Sequence, residues 1–168
     1  MMQIDILIII YIICSRIFEL CLSSRNVKIL KKEGAEEFYS QHYKFLVLFH
    51  LIFVIYFLKK SLIFEDIQFL YLFLFCLLQI VRYKIIFDLG KYWTTRIYVL
   101  KKVPLVKKGM YRYINHPNYL VVFFEVLLVC LIFQDYLALL YFSNINLVLI
   151  FIRIYFEEKA NRSRRTLK

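Results

Sequence analysis

Five apolar runs, near 4–22, 43–58, 67–87, 117–134 and 136–152, leave this chain few ways to fold. A helix needs about 17–25 mostly apolar residues to cross a bilayer. Inside lipid only helices and closed barrels satisfy their own backbone polar groups. The expectation is therefore an all-α, polytopic membrane protein with about five transmembrane helices, forming one domain over 1–168. A hydrophobic content of 62% and a mean hydropathy of +0.65 agree with that reading. The second, fourth and fifth runs are short, so flanking aromatics and snorkelling Lys or Arg must help them span. The first run does not resemble a cleaved signal peptide: Asp5 stands where basic residues belong, and no small-residue cleavage site follows.

The net charge is +11, and its distribution matters more than its size. Most of the 23 basic residues fall in segments 22–44, 82–116 and the tail from Arg153 to Lys168, which five spans place on one face. The opposite loops hold Lys59, Lys60, Glu65, Asp66 and Asp135. The positive-inside rule then predicts an amino terminus outside and a carboxyl terminus in the cytoplasm. Topology and anionic membrane lipid account for the charge, so no nucleic-acid partner is expected. Cys14, Cys21, Cys76 and Cys130 lie in or beside apolar runs without a CxxC pair and read as small buried hydrophobes. His42, His50 and His116 are dispersed, so no metal is expected.

Polar residues concentrate in a few places. The loop 88–116 is the one large polar element, and a structureless loop of that length is usually functional. Segment 23–42 reads either as a helical extension, as an interfacial helix or as a solvated connector. Nothing breaks the fifth helix before Asn161, so it is expected to run on past the membrane, with the basic tail docking to lipid. Gly109 to Tyr119 opens the fourth run, and Arg153 to Glu158 closes the fifth on the same side. A simple anchor needs no such concentration; chemistry at the membrane surface does.

Pro117 fits the first turn of a helix, with His116 or Asn115 at the cap. The free N–H groups that follow favour an anionic group such as a carboxylate, although the same residues also make an ordinary helix start. Arg153 and Glu157 share a helix face in the poorer order for an intrahelical pair, which slightly favours each facing another partner, a cation or ribose hydroxyls for Glu157, with a boundary ion pair as the alternative. Glu158 points elsewhere and is expected to stay solvated. Glu125 lies mid-span, where an acid costs about 2.5–3.5 kcal/mol, so its face should look into the bundle, with Gln79, Asn144 or Asn146 as partners. No G-x-G occurs, so neither a Rossmann site nor a P-loop can form.

Together these residues resemble the isoprenylcysteine carboxyl methyltransferase family. Its G-x-Y-x-x-x-R-H-P-x-Y stretch opening a helix and R-x-x-x-E-E after the last span are matched by Gly109, Tyr111, His116, Pro117, Tyr119, Arg153, Glu157 and Glu158. Asn115 stands where the family usually has Arg. The likeness is strongest over 88–158. Arg16-x-x-Glu19, Arg25-Asn26, Gly34-Ala35, His42-Tyr43, His50 and Tyr92 to Arg96 are similar to a bacterial branch, some of whose members methylate alkylpyrone-type products. The resemblance implies a bacterial membrane enzyme that uses S-adenosyl-L-methionine to O-methylate a lipophilic acceptor entering sideways from the bilayer. It implies a cofactor pocket formed by Val103, Pro104, Leu105, Val106, Tyr111, His116, Pro117, Asn118, Tyr119 and Glu157, with Arg153 orienting the acceptor's carboxylate. A carboxylate acceptor is already ionised at pH 7 and needs no base. A phenol or enol would benefit from one, for which His116 or Glu125 are the nearby candidates. The rival readings are a phospholipid N-methyltransferase, a longer-chain type of sterol reductase, and a non-catalytic membrane subunit.

Overall fold

The computed structural model describes residues 4–63 and 66–165; Glu65 and Lys168 lie outside them. Five helices carry the chain: α1 (Ile4–Lys32), α2 (Tyr43–Ser61), α3 (Phe69–Leu89), α4 (Pro117–Ile132) and α5 (Tyr136–Ala160). Four of them are long and apolar enough to cross a membrane, while α4 has 16 residues. The chain is an integral membrane protein, and its apolar exterior fits that solvent. Phe45, Leu48, Leu51 and Ile52 of α2 and Phe69, Phe73, Leu77 and Ile80 of α3 are all exposed. Lipid tails are as apolar as these side chains, so exposure there carries no hydrophobic cost.

The core is aromatic. Phe49, Phe53 and Phe57 recur every fourth residue on the inward face of α2, and Phe53 and Phe57 pack against each other with ring centroids 4.8 Å apart. They meet Ile8, Ile9 and Ile12 of α1 and Val126, Val129 and Ile132 of α4. Of the four cysteines only Cys130 is buried; Cys14, Cys21 and Cys76 are exposed on the helix exteriors, contrary to expectation. A thiol is apolar enough to face lipid as readily as core.

Helix lengths create the room for a site. At 1.5 Å per residue α4 spans about 24 Å, short of the roughly 30 Å hydrocarbon layer, whereas α1 and α5 reach about 44 and 38 Å. Tyr119, in the first turn of α4, meets Arg153, seven residues before the end of α5 at Ala160, so the amino terminus of α4 is recessed below that end of α5. Segment 23–42 resolves into a helical extension followed by a strand. Ser23, Asn26 and Leu30 form one buried face on the extended α1. Gly34, at φ 88°, then ends the helix, with Ala35 N–H donating to Leu30 O at 2.9 Å and Gly34 N–H to Lys31 O at 3.1 Å.

The loop 88–116 is not structureless. It holds 3-10 turns at Gly90–Tyr92 and Gly109–Arg112 and a short strand, β2 (Ile97–Val99). That strand pairs antiparallel with β1 (Glu36–Phe38) in the register Glu36 to Val99 and Phe38 to Ile97. At the opposite end, Asp135 caps α5 by accepting from Ala138 N–H at 2.9 Å and also accepts from Tyr56 and Lys60. Burial alone would raise its carboxyl, but Lys60, Tyr56 and the Ala138 amide together hold it below the ordinary range. A depressed pKa contributes stability above the unfolded value that is lost as pH falls through the folded one. Asp135→Ala is expected to cost about 1–2 kcal/mol at pH 7. The difference from wild type should shrink in acid, as read by unfolding in mixed micelles.

Candidate active site

At the basic end of the bundle a cavity of about 370 Å³ opens beneath the 88–116 loop. Pro117 is the first residue of α4 and His116 its cap, as the sequence implies. The His116 side chain makes no capping bond; the Tyr119 N–H turns back to His116 O at 3.2 Å, which leaves the Asn118 N–H at the helix end without a side-chain cap. His116 Nε2 instead donates to Glu158 Oε1 at 2.6 Å, and Arg165 also reaches that oxygen. Glu158 is thus engaged rather than merely solvated.

Gly109 turns the loop at φ 54°, and a Cβ there would lie 1.8 Å from Asp88 Oδ2. Both the backbone angle and the close approach require glycine. Gly109→Ala is expected to lose about 1–3 kcal/mol of stability. Adding Asp88→Ala should return part of that loss by removing the clash, as measured by thermal denaturation in detergent. The turn presents Tyr111 to the cavity. Burial, then the Glu157 and Asp88 carboxylates, push the Tyr111 hydroxyl up, so it stays a neutral phenol at pH 7.

Arg153 sits at the centre, 5% exposed. Its Nη1 donates to His42 Nε2 at 2.8 Å, Nη2 to Thr95 O at 3.1 Å and Nε to Tyr119 Oη at 3.2 Å. An imidazole nitrogen facing a guanidinium must accept, so His42 is neutral with its proton on Nδ1. Tyr119 Oη in turn donates to Glu157 Oε2. Arg153 and Glu157 therefore each face another partner rather than forming a boundary ion pair. Among the described residues no carboxylate pairs with Arg153; its partners are all neutral.

A second cavity, about 340 Å³, runs laterally between α1 and α2 toward the lipid. Trp93, Thr94, Asn118, Tyr119 and Arg153 line both cavities, so the two meet at Arg153. Asn118 Oδ1 at this seam is buried without a partner.

Of the residues expected to hold a cofactor, Leu105, Val106, Tyr111, His116, Asn118, Tyr119 and Glu157 line the first cavity. Val103 and Pro104 act differently: their carbonyls accept from Arg164 at 2.7 and 3.2 Å, and Pro117 is buried. Arg164 was not evident in sequence, where the tail reads as a lipid-docking element. In the fold it is 7% exposed and staples the loop to the end of α5. His42 and Thr95, named in sequence only through the family likeness and given no role there, are the partners that hold Arg153. Asn26 anchors the loop, donating to Gly90 O at 3.0 Å and Trp93 O at 2.8 Å.

Glu125 does face inward, but its partners are arginines rather than Gln79, Asn144 or Asn146. Arg16 Nη2 donates to its Oε2 at 2.6 Å, and Arg82 donates to the same oxygen. Arg82 also grips both oxygens of Glu19. Glu125 lies six residues below Tyr119 on α4, about 9 Å deeper. Committed to two guanidiniums at that depth, it cannot serve as a base at the seam, which leaves His116.

The model of the isoprenylcysteine carboxyl methyltransferase (ICMT) family matches residues 70–162, which span the loop, α4 and α5. An uncharacterized Bacillus subtilis protein, YpbQ, is 37% identical over 158 residues, covering 92% of this chain and 94% of its own. An uncharacterized protein of Haemophilus influenzae is 26% identical over 154 residues, covering 89% and 90%. No solved structure matches the chain. The chain belongs to the isoprenylcysteine carboxyl methyltransferase family, whose members are methyltransferases of the membrane.

Proposed function

We propose that this protein is an S-adenosyl-L-methionine-dependent O-methyltransferase acting on a lipophilic acceptor whose reacting oxygen is an anion. One observation carries the reading: Arg153 is a buried cation with only neutral partners, placed where a polar cavity meets a lateral apolar groove. A buried charge without a counter-charge is costly, and an anionic head from the groove relieves that cost.

The residues of the first cavity fit the cofactor. The open helix end at Pro117 suits its carboxylate, Tyr111 and Tyr119 offer ring faces to a sulfonium, and Glu157 and the unpartnered Asn118 Oδ1 suit its hydrogen-bond donors. When bound, that group supplies an activated methyl for in-line displacement. The chain's own work is alignment and exclusion of water. Arg153 orients the acceptor oxygen, Tyr119 couples Arg153 to Glu157, and the loop stapled by Arg164 lies over the cavity. A carboxylate acceptor requires no base, whereas an enol or phenol would pass its proton to His116, backed by Glu158. By the positive-inside rule, the excess of basic residues at this end supports a cytoplasmic site with the amino terminus outside.

Equilibrium binding of labelled S-adenosyl-L-methionine to the protein in nanodiscs tests the reading directly. Saturable binding to wild type that falls at least about tenfold in Glu157→Ala is expected, since a charged hydrogen bond contributes about 1.5–3 kcal/mol. Well-folded wild type that binds none would favour a reductase or a non-catalytic subunit.

A further inference from the structure

The lateral groove holds more chemistry than an apolar tail needs. Arg16, Glu19, His50 and Arg82 line it alongside Ile13, Leu46 and Val54. With Glu125 behind them, two arginines and two glutamates form one continuous network across α1, α3 and α4. Arg82 and the glutamates are closed off, their side chains 2–5% exposed, but Arg16 keeps 21%. It gives one N–H each to Glu19 and Glu125 and has others left for a ligand. Across the groove, His50 Nδ1 lies 2.8 Å from Leu46 O, so it must donate, and Nε2 becomes an acceptor without a protein partner among the described residues.

The depth of this cluster is set by three helices independently. Ser23 and Tyr43 both bond the Thr95 side chain, level with the Thr95 carbonyl that holds Arg153. Arg16 lies seven residues below Ser23 on α1 and His50 seven below Tyr43 on α2, while Glu125 lies six below Tyr119. Each interval is on the order of 10 Å.

Resting on the acceptor reading above, we propose that Arg16 and His50 form a second polar station in the groove. It receives a neutral oxygen function (hydroxyl, carbonyl or ether) carried by the acceptor's chain about 10 Å beyond the methyl-accepting anion. The two positive and two negative charges cancel, so the station offers nothing net to an ion but paired donor and acceptor to a dipole. A plain hydrocarbon chain would leave the Arg16 N–H groups and His50 Nε2 facing apolar carbon, at a cost. The acceptor class is therefore an oxygenated chain rather than a simple alkyl or prenyl one.

Trp93, the single tryptophan, is buried at the seam and reports on groove occupancy. The full chain in dodecyl maltoside would be titrated with 10-hydroxyoctadecanoate and with 17-hydroxyoctadecanoate, whose hydroxyl lies beyond the station, following Trp93 fluorescence. The expected result is about fivefold tighter binding of the first acid, the size of one net hydrogen bond, with the preference abolished in His50→Phe. Comparing ratios between wild type and variant cancels differences in detergent partition. Equal binding in wild type, or a preference that survives in His50→Phe, would overturn the station. If equal binding were also lost in Arg153→Gln, the anionic-acceptor reading would stand without it. If neither acid perturbed Trp93, both would fall.

Discussion

Arg153→Gln is expected to lower kcat/KM for methyl transfer by about 100-fold while leaving S-adenosyl-L-methionine affinity nearly unchanged. An angstrom-scale misplacement of a reacting group costs about that much. The guanidinium is fixed by three separate acceptors, His42 just before α2, Tyr119 on α4 and Thr95 in the 88–116 loop, so its charge is held at one point of the seam. Glutamine keeps some hydrogen bonding but loses the charge, and the acceptor's anion would then meet only neutral groups. Arg153→Lys should recover little, because one ammonium cannot reproduce the separate Nε, Nη1 and Nη2 bonds. A phospholipid N-methyltransferase would behave oppositely, since an amine acceptor gains from removal of a nearby cation. Methyl-transfer kinetics with paired cofactor-binding isotherms check the prediction; unimpaired transfer by a folded Arg153→Gln protein would sink the anionic-acceptor reading.

The largest loss of stability is expected from Arg82→Met. Arg82 is 2% exposed and holds Glu19 of α1 and Glu125 of α4 at once. Its removal leaves two buried carboxylates sharing only Arg16. Breaking a buried ion pair from one side costs about 3–5 kcal/mol, mostly through the charge left behind. Tyr83, its exposed neighbour, should tolerate substitution within about 0.5 kcal/mol. Unfolding in mixed detergent micelles would measure both. A loss under about 1 kcal/mol for Arg82→Met would mean the network contributes little to the fold.

The two variants separate two kinds of buried charge. Arg82 is satisfied by protein and acts through stability, whereas Arg153 meets no carboxylate among the described residues and, on the proposed reading, acts through a ligand. Their exposures are alike, and only their partners tell them apart.

Much of this was legible in one dimension because it depends on local chain physics. The apolar runs at 43–58 and 67–87 became α2 and α3 with ends shifted by three residues or fewer, since bilayer thickness sets helix length. Pro117 begins α4 because its missing N–H is harmless there, and α5 continues to Ala160 because no breaker intervenes. The spacing of His116, Tyr119, Arg153 and Glu157 likewise placed these side chains at adjoining helix ends. Other features depend on which distant segments become neighbours. Arg16 and Glu125 are 109 residues apart, Arg153 and His42 are 111, and Arg164 and Val103 are 61. Nothing local in Arg16 or Arg164 distinguishes a network member or a loop staple from a snorkelling or tail cation. The strand pair β1–β2 was equally hidden, because three residues on each side have no detectable period. Local length and periodicity determined the helices and the end at which the site would lie. Only helix packing decided which charges would be neutralised, because an ion pair depends on distance in space and not along the chain.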